Sequence, residues 1–240
     1  MSENFILSNY KKVSDDVFST CNLYNRNPAD VKLIVVTKGH SSKKIESVIT
    51  AGARYLGENY PEETIEKKNF LTNLPEDLEW HMIGHLQSRK SLMVIDNFKI
   101  MHSLDSVKLA ERLNRQLWNQ DKNLEVLLQF NVGGEVSKYG WDASEERNWD
   151  SLILEVEKIL GCKNLKVRGL MTMPPYLENE KDARMNFSKL RRLGEFFSKK
   201  ISNLRIDEYS MGTSHDFKMA IAEGSTMIRI GTAILGQRDK

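Results

Sequence analysis

One lysine stands where it can act as a nucleophile. Lys38 follows Thr37 and the apolar run Leu33-Ile34-Val35-Val36, so a buried strand delivers its side chain to a strand end. A partly desolvated ammonium has a lowered pKa, and its free amine can form a Schiff base with a carbonyl. Lys43 and Lys44 lie close by, and a solvated lysine opening a helix is the plainer reading of the same position. Near the other end of the chain, Ser210-Met211-Gly212-Thr213-Ser214 and Gly231-Thr232 combine small hydroxyls with glycine. Such segments bind phosphate through N–H and O–H groups, because glycine carries no Cβ to hold the anion away. Two ordinary turns have the same composition. Arg229 stands two residues before Gly231 in an apolar run, so both lie on one face of a strand while Ile230 points the other way. A guanidinium in a core requires a partner. A structural carboxylate and the ring nitrogen of a ligand both meet that need.

The remaining polar residues read more simply. His81 and His85 are four apart, but Trp80-His81-Met82-Ile83-Gly84-His85 has the look of a strand and its turn, not a helical metal pair. His102 reads as a satisfied core histidine, Met171 and Met173 as packing, and Lys189, Arg191, Arg192, Lys199 and Lys200 as a solvated helix face.

The elements that carry these residues alternate. β-rich runs occur at Lys32–Thr37, Arg54–Gly57, Trp80–Gly84, Lys99–Ser103, Glu125–Val132, Lys166–Thr172, Ile206–Met211 and Thr226–Gly231. Apolar residues at helical spacing lie between them at Val107–Leu117, Leu152–Leu160 and Ala183–Phe197, with a brief segment at Phe217–Ala222. An amphipathic helix over Ile6–Cys21 precedes the first run. Eight strands alternating with helices predict a parallel sheet. The first turn, Thr37-Lys38-Gly39-His40, lacks G-x-G-x-x-G, and eight units in 240 residues favour a closed (β/α)₈ barrel in one domain spanning residues 1–240. In that fold all strand-to-helix loops converge on one mouth. The rule gathers Thr37-Lys38, Glu58-Asn59, His85 with Gln87, His102-Ser103, Asn131, Thr172, Ser210 with Gly212-Thr213-Ser214, and Arg229 with Gly231-Thr232 around a single pocket.

Composition excludes several classes. Thirty-five Lys and Arg against 33 Asp and Glu leave a net charge of +2, too even for nucleic acid or an anionic membrane to be the main partner. No run approaches the ~18 apolar residues of a membrane span. The start, MSENFILSNYKKVSDDVF, carries acidic and polar residues where a secretory signal needs an apolar core. Two cysteines, Cys21 and Cys162, make neither a disulfide framework nor a zinc site. The expectation is a cytoplasmic protein with reduced thiols and no metal.

Six stretches then match one family. VVTKGHSSKKIESVITAGARYLGENYPEE, WHMIGHLQSRK, MHSLDS, QFNVGGEVSKYGW, VRGLMTMP and SMGTSHDFKMAIAEGSTMIRIGTAILGQR resemble, in order, the pyridoxal 5′-phosphate (PLP) homeostasis proteins, which are related to the barrel domain of alanine racemase. The resemblance covers the chain from about residue 33 to 238. Gly57-Glu58-Asn59-Tyr60, Ser210-Met211-Gly212 and Arg229-Ile230-Gly231-Thr232 are its most specific blocks. It implies an alanine racemase-type barrel with an extra N-terminal helix. It implies Lys38 as the Schiff-base lysine, with Asn59 and Met82 or Ile83 beside the ring, and Arg229 on the pyridine nitrogen. Ser210, Gly231 and Thr232 are the implied phosphate residues, and Met211 and Gly212 are implied to be cofactor-binding with them. Lys138 and His40 are candidates near the cofactor. Many members carry Lys-Pro shortly after the lysine where this chain has Gly39-His40-Ser41, which alters the local loop.

An arginine at the ring nitrogen keeps its own proton, so the pyridine is a weak electron sink. The family resemblance accordingly implies a carrier or buffer that delivers PLP to PLP-dependent apoenzymes without turnover. Alanine racemase takes its second proton carrier from an additional domain and a partner subunit. This chain ends at Lys240, directly after the barrel, so a monomer is expected. The alternatives are an amino-acid racemase of low activity, with Tyr60, Tyr139, His40 or His85 as second proton carrier, and a PLP-independent barrel acting on a sugar phosphate.

Overall fold

Strands that are apolar on both faces must be covered inside and out, and eight of them achieve this by closing around a filled interior. The computed structural model describes residues 3–175 and 179–238. β1 (Lys32–Val36) pairs with β2 (Tyr55–Glu58), β2 with β3 (Glu79–Met82), β3 with β4 (Ile100–Leu104), and β4 with β5 (Leu124–Asn131). β5 also carries a two-residue strand, β6 (Trp141–Asp142), beside its last residues. The ring continues through β7 (Leu165–Met171), β8 (Glu208–Ser210) and β9 (Met227–Ile230), and β9 returns to β1. Every pairing is parallel. The (β/α)₈ barrel expected from the alternation is what the chain forms.

Helices α1 (Glu3–Leu23), α2 (Ser42–Thr50), α3 (Pro61–Phe70), α4 (Ser91–Asn97) and α5 (Val107–Asn119) come from the first half of the chain. α6 (Asp150–Leu160), α7 (Glu180–Lys200), α8 (Phe217–Ala222) and α9 (Thr232–Leu235) complete the set. In α5 Leu109, Ala110, Leu113 and Leu117 form the buried stripe, and Ser106 caps the start by accepting from the Leu109 N–H. Pro61 opens α3, Glu62 and Glu63 occupy its first turn, and Lys67 and Lys68 its last, an order that suits the helix dipole.

Two apolar cores result. The larger lies between strands and helices, and a smaller one inside the barrel comprises Ile34, Ile100, Leu127, Met171 and Met227 with Tyr55 against it. The alternation of a strand therefore decides which residues reach the interior. On β1 and β9, Ile34 stands opposite Arg229 and Val35 opposite Ile230, so Arg229 joins the interior set. The second strand starts one residue later than the sequence pattern predicts and includes Glu58, whose side chain faces the helix layer at Lys67. Among the described residues no helix is long and apolar enough to cross a membrane, and Cys21 and Cys162 are buried free thiols.

Candidate functional site

The end of β1 is clamped before Lys38 leaves it. The Thr37 N–H donates to the Gly57 carbonyl at 2.9 Å, and its hydroxyl donates to Glu58 Oε1 at 2.7 Å. The Thr37 carbonyl accepts from Lys67 Nζ at 2.9 Å. Lys67 Nζ also reaches Glu58 Oε1 at 2.5 Å and Glu63 Oε2 at 3.1 Å, and the second Glu63 bond comes from the Gly39 N–H at 3.0 Å. Glu58 is fully buried, and that burial pushes its carboxyl pKa up while Lys67 and Thr37 pull it back. Lys38 itself is half-buried. Burial lowers its pKa, and the Arg238 and Arg229 guanidinium groups lower it further against the opposing pull of Glu58 and Glu63.

Lys38 opens onto a cavity of about 210 Å³ at the C-terminal mouth of the barrel. Val36, Asn59, Ile83, Met173, Thr213, Ser214, His215, Gly231 and Thr232 line it. His40, Arg229 and Arg238 complete it. Arg229 is 2% exposed; its Nη1 donates to Ser210 Oγ and its Nη2 to the Thr172 carbonyl at 2.8 Å. Its Nε is buried with no partner inside the protein. Burial brings the Arg229 pKa down to about 10, opposed by Asp216, so the group is still a cation at neutral pH. A Cβ at Gly231 would lie 3.3 Å from Val36 Cβ, so glycine there keeps the two strand ends close and the cavity open between them.

The site residues expected from sequence divide between this cavity and the layer behind it. Lys38, His40, Asn59, Ile83, Arg229, Gly231 and Thr232 come together on its wall. Met82 and Met211 point outward into the helix-facing core, as alternation requires of residues next to Ile83 and Ser210. Ser210 lies in the barrel interior with its hydroxyl committed to Arg229 and His102. Gly212 is a turning point: its φ is +96° and a Cβ would lie 2.6 Å from Ala220 Cβ. The small hydroxyls at the wall belong instead to Thr213 and Ser214, three and four residues beyond Ser210 in the same run. Thr213 also bonds Asp216, through its hydroxyl at 3.0 Å. Lys138 pairs with Glu135 at 3.7 Å and is not on the wall. Arg238 is, although nothing in its sequence context marked it.

Lys38 also borders a second cavity of about 390 Å³, which shares Asn59, Ile83 and Met173 with the first. Here the His85 ring stacks on Tyr139 with centroids 3.8 Å apart, and His85 Nδ1 lies 2.8 Å from the Asp105 carboxylate. No group of three His, Cys, Asp or Glu able to hold a metal occurs among the described residues.

A cation-rich cavity at the mouth of such a barrel, with a lysine amine and a buried guanidinium Nε that has no protein partner, suits the class of the alanine racemase N-terminal domain. The model of that family matches residues 22–239. The pyridoxal phosphate homeostasis protein of Haemophilus influenzae is 37% identical over 98% of this chain and 96% of its own length. That of Escherichia coli K12 is 36% identical over 98% of each chain. Among solved structures, PipY of Synechococcus elongatus with PLP bound superposes with a TM-score of 0.78 at 33% identity, covering 92% of this chain and 99% of its own. The chain belongs to the family of pyridoxal phosphate homeostasis proteins.

Proposed function

We propose that this protein binds PLP in the 210 Å³ cavity and serves PLP homeostasis as a cytoplasmic, monomeric carrier or buffer without catalytic turnover. PLP supplies an aldehyde that condenses reversibly with a primary amine. One observation carries the reading. The depressed-pKa amine of Lys38 and the unpartnered Nε–H of Arg229 belong to the same cavity wall, a donor pair suited to an aldehyde and a ring-nitrogen acceptor. Asn59 and Ile83 flank the ring. Ser214, Gly231 and Thr232 receive the phosphate, with Thr213 and the charge of Arg238 beside them. Ser210, Met211 and Gly212 shape that wall from behind. The partners are PLP-dependent apoenzymes met transiently. The buried free thiols suit a reducing compartment.

The test is reconstitution with PLP, borohydride reduction and peptide mass mapping. A phosphopyridoxyl mass on Lys38, absent in Lys38→Ala, is expected; a wild-type chain that stays colourless refutes the reading. Low racemase activity is the second reading, favoured by the Asp105-oriented, Tyr139-stacked His85 beside Lys38. Lys38-dependent solvent deuterium at Cα of amino acids is its signature, and no incorporation across a broad panel leaves the carrier.

A further inference from the structure

A line of polar side chains crosses the barrel interior behind the cavity. Arg229 Nη1 donates to Ser210 Oγ, which lies 2.8 Å from His102 Nδ1. His102 Nε2 is 2.9 Å from His81 Nδ1, and His81 Nε2 is 3.3 Å from the Glu79 carboxylate. Ser210, His102 and His81 are fully buried, whereas the Glu79 side chain keeps 34% exposure. Arg229 sits near the C-terminal end of β9 and Glu79 is the first residue of β3, so the line joins opposite mouths of the barrel.

Its two ends fix its direction. A guanidinium only donates and a carboxylate only accepts. Burial holds both histidines below their ordinary pKa, His102 well below it with His81 and Arg229 adding to the effect. Each ring is therefore neutral, with one N–H and one lone pair. Ser210 donates to His102 Nδ1, His102 donates from Nε2 to His81 Nδ1, and His81 donates from Nε2 to Glu79. The reverse order would set a lone pair of His81 against a carboxylate. Tyr55 stands edge-on to His81 at 5.7 Å, and Lys32 and Glu208, paired at 2.7 Å, are the charges facing it from β1 and β8. Arg229 Nε is the guanidinium nitrogen this arrangement leaves without a protein partner, on a residue of the cavity wall.

We propose that Ser210, His102, His81 and Glu79 are positioning residues: their one-directional hydrogen-bond chain holds the Arg229 guanidinium so that its Nε–H meets the ring nitrogen of the cofactor. The proposal rests on PLP being the ligand of this cavity. Consecutive bonds polarised in the same sense strengthen one another, and the buried guanidinium gains a remote carboxylate without a carboxylate in the site.

Two measurements test it. In the cofactor-free wild type, two-bond ¹H–¹⁵N spectra should show His81 and His102 as neutral Nε2–H tautomers at about pH 7; an Nδ1–H tautomer or an imidazolium at either position overturns the chain. PLP titrations followed by absorbance should show His102→Leu, which can neither accept nor donate, binding about tenfold more weakly, or about 1.4 kcal/mol. His102→Gln, whose Oε1 can accept from Ser210 and whose Nε2 can donate to His81, should stay within about threefold of wild type. If His102→Leu does not fold, Ser210→Ala carries the same arm. A folded, chain-breaking variant that binds like wild type, or His102→Gln falling as far as His102→Leu, refutes the positioning role. A wild type that does not bind PLP overturns the proposed function and this role with it, a result the titration separates from the first two.

Discussion

Lys67→Met isolates the buried ion pair behind the candidate nucleophile. Glu58 is fully buried and the Lys67 side chain is 9% exposed, with 2.5 Å between Nζ and Oε1. Removing one member of such a pair leaves an uncompensated charge and costs about 3–5 kcal/mol. For a chain of 240 residues that is a fall in Tm of roughly 6–20 °C. The loss has a definite pH dependence. Burial already raises the Glu58 pKa, and without Lys67 it rises further above its unfolded value of about 4.3. A raised carboxyl contributes stability that is present below the unfolded pKa and is lost as pH rises through the folded one. The deficit against wild type should therefore be larger at about pH 8 than at about pH 5, because protonation of Glu58 removes the orphan charge. Lys67→Met with Glu58→Gln removes the orphan charge and should recover most of the loss. Urea denaturation followed by tryptophan fluorescence reads all three chains. A single-variant deficit below about 1 kcal/mol at the higher pH, or an equal deficit at both, would refute the reasoning.

Gly212→Ala should lower stability by about 1–3 kcal/mol, because φ is +96° and the new methyl meets Ala220; an unchanged midpoint in thermal denaturation contradicts this. Arg238→Ala should raise the Lys38 pKa towards its ordinary 10.5, slowing amine-directed labelling of Lys38 at mildly alkaline pH; labelling at the wild-type rate would remove Arg238 from the site's electrostatics. Because the folded pKa of Lys38 lies below the unfolded one, the unfolded chain binds more protons between them. Wild type should thus gain stability relative to Lys38→Met as pH rises through that window, and a flat difference refutes the depression. PLP at about 100 times its Kd should add about 2.7 kcal/mol to the wild type and clearly less to Lys38→Ala, measured as a Tm shift.

How much of this was legible in sequence depended on the kind of signal. The eight strands showed because parallel strands covered on both faces read as continuous apolar runs, Leu33–Val36 most plainly. β6, two residues long, has no period to detect. Lys38 and Arg229 were legible as charges abutting or within such runs. Ser210 lies one layer behind the cavity wall: a hydroxyl in a Gly-containing run satisfies a phosphate motif equally well from positions 210, 213 or 214. Only the inward register of Ser210 beside Arg229 and His102 decides between them. Met82 and Ile83 could not be separated until the strand's phase was known. Arg238 escaped because a lone arginine in a polar tail has no pattern; its relevance comes from lying over Gly39. His81 and His102 looked like ordinary core histidines, and what sequence could not show is that they touch each other across β3 and β4.

The candidate site lies on the seam of the barrel. Lys38 extends β1, while Arg229, Gly231 and Thr232 come from β9 and the turn after it, so residues some 190 apart along the chain meet through the pairing that closes the ring. Closing a loop of that length costs entropy before any contact repays it. A ligand held by Lys38 on one strand and by Gly231 and Thr232 on the other bridges that seam, so its binding energy acts on the contact of highest sequence separation. Binding to the closed barrel alone shifts the folding equilibrium by mass action. Hydrogen exchange should therefore slow most, on adding PLP, at the β1–β9 amides, including Lys32 N–H on the Thr226 carbonyl. Protection that rises equally at β4 and β5, on the opposite side of the ring, would mean that the ligand stabilises the barrel globally and the seam has no special part.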